Sequence, residues 1–365
     1  MTNQIELSAA HIIGGELTYI CQGNNQYKFT MKIYRDCLGG GAEFDSAGGG
    51  SLEGSVSVYR GAGTNAVLVQ TVYLAPPTIA PIAPSVTNPC LVVPSNVCVE
   101  QGVYEFTLTL PNSPESYNIA YQRCCRNNTI ANIVAPGDSG ATYFIELTPE
   151  AQDVCNTTPV FKDFPPIVIC AGSPIAFDHS ALDDDGDVLE YSLCTPYLGG
   201  GNNQQQPFVP NGVAPDPDLP PPYTPVNFSK PYTFNNPLGG LPPNNLTIDP
   251  NTGFLNGVPT TGGQFVVGVC VKEYRNGELL STVRRDFQFN VTTCEPTVEA
   301  DIAEDSLIIQ GDDQIYYVKA CGAFDVQITN TSFQQSNISN YFWEFETGGP
   351  LIRIDGPGPA NWSPT

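Results

Sequence analysis

The chain has 365 residues, enough for two or three domains with cores of their own. Its 37 acidic and 14 basic residues leave a net charge of −23, which makes phosphate backbones and anionic membrane surfaces poor partners. Charged residues are only 14% of the total, Gly (35) and Pro (34) are abundant, and aromatics at 10% argue against disorder.

Strand signals begin near the N-terminus. Glu16 to Cys21, the turn Gly23-Asn24-Asn25, and Tyr27 to Tyr34 read as a β-hairpin. Ser55–Tyr59, Val67–Tyr73, Val103–Leu110, Tyr117–Gln122 and Tyr143–Leu147 continue the pattern, giving a first β-sandwich over residues 1–158. Pro149 to Gln152 is the one helix candidate. A second block, 159–294, opens on Ile167–Cys170 and closes on strand runs joined by Asn276-Gly277, a pair that tolerates the positive φ of a type I′ turn. Within it, Pro207–Pro243 is too rich in proline for a central strand and reads as an extended surface loop. The third block, 295–365, reads as a domain interrupted before its closing strands, in a chain that continues further. No apolar run is long enough for a transmembrane helix, and Met1–Ala10 lacks the apolar stretch of a signal peptide.

Twelve cysteines and two histidines, without paired Cys-x-x-Cys knuckles, favour disulfides in an oxidising compartment over zinc. Cys90 and Cys98 flank a short loop and form the expected local pair, and Cys294 with Cys321 is expected within the third block. Seven cysteines precede residue 159 (21, 37, 90, 98, 124, 125, 155) and three fall between there and 294 (170, 194, 270). Both counts are odd, so full oxidation calls for a bridge across the first boundary.

Asp183-Asp184-Asp185-Gly186-Asp187 alternates carboxylates around a glycine that permits a tight turn, as a hard oxygen-loving cation requires. Asp183, Asp185 and Asp187, with Glu190 beyond them, are the candidate calcium ligands; the alternative is an acidic turn between strands. Catalysis has little to build on. His11 is near the terminus, and His179 reads as a turn histidine.

Four stretches, Ala10–Tyr19 (AHIIGGELTY), Tyr34–Cys37 (YRDC), Ala120–Asn127 (AYQRCCRN) and Arg284–Phe289 (RRDFQF), resemble the N-terminal region of large secreted Bacteroidota surface proteins. Those proteins carry arrays of Ig-like and PKD domains and are associated with type IX secretion and gliding motility. Asp183 to Tyr191 resembles the Asp-x-Asp-Gly-Asp-x-Leu-x-Tyr segment of cadherin-like bacterial repeats, and Leu246–Gly253 with Gly257–Thr260 resembles a cadherin-related Ig-like module. Ile328–Ser332 followed by Tyr341–Phe345 resembles a PKD domain. Asp45-Ser46-Ala47 and Asp305-Ser306-Leu307 match the family's O-glycosylation pattern at Ser46 and Ser306.

The expectation is therefore an all-β chain of tandem Ig-like sandwiches, stabilised by disulfides and ending in a partial PKD-like domain. Its implied role is non-enzymatic: an extracellular adhesive or stalk segment of a giant surface protein. The partners would be further domains of the same chain, cell-surface or matrix components, or further copies of itself, with no nucleic acid and no membrane span. A subunit of a self-assembling contact appendage, for gliding or predation, and the accessory modules of a secreted hydrolase are the alternatives.

Overall fold

Strict alternation sets the strands. In the run from Tyr27 to Ile33, Tyr27, Phe29, Met31 and Ile33 are buried while Lys28, Thr30 and Lys32 between them are half-exposed, the period-two pattern of a strand with one face on a core. The structure, a computed structural model, describes residues 12–37, 43–49, 51–83, 97–201 and 213–293, followed by strand segments between 306 and 362.

The elements are β1 (Ile12–Gly23), β2 (Gln26–Asp36), β3 (Ser55–Arg60), β4 (Val67–Tyr73), β5 (Thr78–Pro81), β6 (Val99–Thr109), β7 (Tyr117–Arg123), β8 (Ala141–Leu147), α1 (Pro149–Val154), β9 (Val160–Phe161), β10 (Val168–Cys170), β11 (Ile175–Asp178), β12 (Ala181–Leu182), β13 (Val188–Leu193), β14 (Thr247–Ile248), β15 (Phe254–Gly257), β16 (Gly263–Arg275) and β17 (Glu278–Thr292). An eight-stranded sheet runs β13-β16-β17-β1-β2-β6-β5, with β10 pairing β17 in parallel, and a four-stranded sheet runs β4-β3-β7-β8. Both sheets contribute to one apolar cluster, which includes Leu17, Phe29, Met31, Val267 and Phe287 from the larger sheet and Val56, Val58, Ile119 and Ile145 from the smaller. The chain is thus an all-β sandwich of largely antiparallel sheets.

The expected boundary at 158/159 is not a boundary between compact units. β1, from the first block, is flanked by β2 and by β17 from the end of the second, with Gly15 opposite Asp286. Glycine makes this approach feasible: a Cβ on Gly14 would fall 2.0 Å from the Asp286 carbonyl oxygen. The Thr158 hydroxyl oxygen also accepts the Tyr19 N–H at 2.9 Å, so the residue at the expected boundary is itself held to β1. The described residues through Thr293 form one compact unit, and the strand segments from Ser306 onward belong to a second.

Local signals hold within this frame. Asn276 and Gly277 both take positive φ (55° and 85°) in the β16–β17 hairpin. α1 is capped by the Thr148 hydroxyl, which accepts the Ala151 N–H, and it ends at Cys155 in the left-handed region. The proline-rich segment is not purely superficial: among its described residues, 213–243, Asp218, Val226 and Leu238 are buried. Asp218 decides this. Its carboxylate accepts the N–H groups of Ser57 on β3 (3.0 Å) and Gln122 on β7 (2.8 Å), just where the β3–β7 ladder ends.

Disulfides join Cys21 to Cys155, Cys37 to Cys98, Cys194 to Cys270, and the neighbours Cys124 and Cys125 to each other. The expected Cys90–Cys98 pair is thereby corrected. The β2–β6 ladder ends with Asp36 opposite Val99, which brings Cys37 against Cys98, and strand pairing outweighs proximity in sequence. Cys170 is also disulfide-bonded, and every other described cysteine is already paired. Cys90, Cys294 and Cys321 lie outside the described residues, and the expected Cys294–Cys321 pair with them.

In the second unit β18 (Ser306–Gln310) pairs β19 (Asp313–Tyr317), β20 (Ile328–Thr329) pairs β23 (Asn361–Trp362), and β21 (Tyr341–Phe345) pairs β22 (Ile352–Gly356). Two strands therefore follow Tyr341–Phe345, and the expectation that this block stops short of them is wrong. The alternation Ile352-Arg353-Ile354-Asp355, after the turn-favouring sequence Gly-Gly-Pro, was a strand signal.

Candidate metal centre

The acidic loop Asp183–Asp187 joins β12 to β13, and Gly186 takes the positive φ (77°) that turns it. Asp183 and Asp187 converge, as the Asp183 carboxylate accepts the Asp187 N–H. Their third partner is Glu273 from β16: one ligand atom from each residue lies within 4.8 Å of the other two.

Glu273 is 0% exposed and sits where the β16–β17 register shifts. Such irregularities re-aim a side chain. One oxygen, Oε2, accepts Asn156 Nδ2 (2.8 Å) and the Ser281 hydroxyl (2.5 Å). The other, Oε1, is buried without a hydrogen-bond partner, as is Oδ1 of Asp183. Burial pushes the Glu273 carboxyl up to about 8, against its bonds from Ser281 and Asn156.

Arg275, two residues on, guards the other side. It donates to both oxygens of Asp187 (2.8 and 2.6 Å), to Asp185 (3.0 Å) and to Asn156 (3.2 Å). Its hydrogen bonds hold the Asp187 carboxyl below the usual range. Asp185 is therefore an anchor, accepting Arg275 and the Thr157 N–H (3.0 Å), and is not grouped with the other three acids. Glu190 is exposed on β13, opposite Lys272, and lines a cleft with Pro250, Asn251 and Tyr274. Of the four expected calcium ligands, Asp183 and Asp187 are brought together. Glu273 was missed, although it was signalled: it shares the parity of Val269 and Val271, the inward-facing phase of β16.

Three carboxylates with two unpartnered buried oxygens form a hard-oxygen donor set of the kind that suits Ca²⁺, Mg²⁺ or Mn²⁺. These residues fit such an ion, which would repair the two orphaned oxygens.

The four motif stretches behave differently. Glu16 on β1 accepts Nε and Nη2 of Arg285 (2.6 and 3.1 Å) and the Tyr34 hydroxyl (3.1 Å), and pairs with Lys32 (3.2 Å). Burial alone would raise Glu16, but Arg285 and Lys32 outweigh it and hold the carboxyl down to about 2. Asp286, the next residue on β17, points to the other face and binds Arg126 (2.5 Å). Arg123 pairs with Asp45 (3.0 Å), which also accepts the Tyr121 hydroxyl (2.7 Å). All seven of these motif-borne or motif-facing charges except Lys32 are buried.

His179 does lie in the short connection between β11 and β12, but its ring turns into the core. It is 1% exposed, its ring centroid lies 4.9–5.5 Å from those of Phe161, Phe177 and Phe287, and burial holds it well below its usual value, neutral. His11 lies outside the described residues. The Ser46 hydroxyl accepts the Gly54 N–H (2.9 Å) within a turn, whereas Ser306 is exposed at the start of β18.

The bonded cysteine pairs belong to an oxidising environment. Among the described residues no helix is long and apolar enough to cross a membrane. Comparison with known proteins found no family model, no curated relative and no solved structure that matches the chain.

Proposed function

We propose that the chain is a non-enzymatic, extracellular structural and adhesive segment of a large cell-surface protein, carrying one divalent cation, calcium, on Asp183, Asp187 and Glu273. The observation that carries this reading is how the chemically capable residues are used. Glu16, Arg285, Arg126, Asp286, Arg123 and Asp45 neutralise one another inside the fold, as cross-links between adjacent strands and between strands and connecting segments. Disulfides that close loops of 134, 76 and 61 residues add to this. In the chain-entropy account each is worth about 4–5 kcal/mol. Such cross-linking suits a module that must persist outside the cell or bear load. The resemblance of the four motif stretches to Bacteroidota surface proteins points the same way.

The cation would fasten the β12–β13 loop to β16 by supplying positive charge to Asp183 and Glu273, which Arg275 does not reach. Antibody raised against the chain should label intact producing cells, and loss of the chain should reduce their attachment to surfaces. Labelling only after permeabilisation would overturn the extracellular reading, and unchanged attachment the adhesive one.

A further inference from the structure

In a chain with 51 charged residues, none occurs between Arg60 and Glu100. This run supplies β4 and β5, and these are the terminal strands of the two sheets: β4 ends the four-stranded sheet and β5 the eight-stranded one. The connection from β4 to β5 is short, Leu74 to Pro77, so the same stretch of chain closes both layers.

The surface it leaves is apolar. Val67, Leu68, Val69 and Tyr73 on β4 are 51%, 41%, 45% and 57% exposed, and Ile79 on β5 is 43% exposed. The β3–β4 ladder skips Val69, passing from Val58–Gln70 to Tyr59–Leu68, and this irregularity leaves three successive apolar side chains outside. One side of β4 pairs with β3; the other has no strand partner among the described residues. β5 is shielded by Pro81 and by Pro76-Pro77 before it, but β4 contains neither proline nor charge, the usual means of blunting an edge.

We propose that the β4 edge is a contact surface for a second copy of this chain. Charge selects that occupant. Two copies of net charge −23 repel at most orientations, and this flank, whose own strand carries no charge, is one where they can meet without opposing like charges. An isologous contact presses one patch against itself, so every charge in it would face its own kind or a neighbour's. A charge-free apolar patch removes that cost while burying side chains now in water. At one end of β4 the Tyr73 hydroxyl donates to Asp216 (3.0 Å), which sets an acidic rim beside the patch.

Sedimentation equilibrium on the full chain tests this. The wild type should form a reversible dimer that tightens as salt is added, because screening weakens repulsion between the acidic copies and leaves apolar contact intact. Leu68→Lys and Val69→Glu should each weaken association by about tenfold or more. Leu241→Lys, at a still more exposed leucine on the proline-rich segment (79%), should leave it unchanged. Circular dichroism checks that each variant is folded, and slower exchange of β4 amides with rising concentration places the contact. A wild type that stays monomeric at every concentration and salt overturns the proposal. So does equal weakening by Leu241→Lys and Leu68→Lys.

Discussion

Glu16 and Glu273 are buried carboxylates on strands of the same sheet, yet they sit at opposite ends of the chemical range. Glu16 faces Arg285 and Lys32 and is held down to about 2; Glu273 faces two acids, an amide and a hydroxyl and is pushed up to about 8. Every oxygen of Glu16 has a partner, while one of Glu273 has none. Burial raises the cost of charge in both places, and what stands opposite decides the outcome. The first arrangement is complete as a cross-link. The second has spare ligand capacity, which is what a cation would use.

Removing a partner from the complete region should do the most damage. Arg285→Ala leaves Glu16 buried with only Lys32 to compensate it, and should cost about 3–5 kcal/mol in denaturant unfolding. A loss under about 1 kcal/mol would mean that the ion pair is solvated in a way its burial does not suggest.

Calcium should act only on the incomplete region. At a hundredfold excess over its dissociation constant it should stabilise the chain by about 2.7 kcal/mol, seen as a raised melting temperature that chelator reverses. Glu273→Gln should remove the shift, and Glu190→Gln should leave it. Equal melting curves with calcium and with chelator would return the loop to the acidic-turn reading.

A third buried carboxylate, Asp218, has a donor on each oxygen, yet it is raised as Glu273 is. Burial pushes it up from its usual 3.8 to about 8, against hydrogen bonds from Gln122 and Ser57. A raised acid binds its proton more tightly when folded, so its stabilisation is complete below about pH 4 and is lost as pH rises through about 8. The slope reaches about 1.4 kcal/mol per pH unit. Unfolding measured across that window should be flatter for Asp218→Asn than for wild type; parallel curves would show that the carboxylate stays ionised on its two amide donors.

The smallest effect is expected at Arg275. Its partners Asp185 and Asp187 lie at a partly exposed loop, so Arg275→Ala should cost no more than about 1 kcal/mol. A larger loss would make the acidic loop an ionic cross-link like that of Glu16, and would weaken the contrast between the two regions.

Much of the local structure was legible in sequence because it is decided locally. Tyr27 to Ile33 alternates, Asn276-Gly277 supplies two residues tolerant of positive φ, and Thr148-Pro149 starts a helix with its own cap; each specifies its element from neighbours alone. Two of the three candidate ligands were legible for the same reason, as Asp183 and Asp187 are four residues apart around one glycine. Pairings between distant segments were decided only in the tertiary structure. Nothing in AHIIGGELTY shows that Gly15 will lie opposite Asp286, so the spacing of strand signals puts a sandwich boundary at 158/159, where the sheet does not end. Cys98 bonds Cys37 because a ladder delivers it there, and Glu273 joins the aspartates because β13 and β16 are neighbours. Strand order is a choice among many contacts of nearly equal local cost, settled by which arrangement buries the most apolar surface and leaves the fewest charges unpaired.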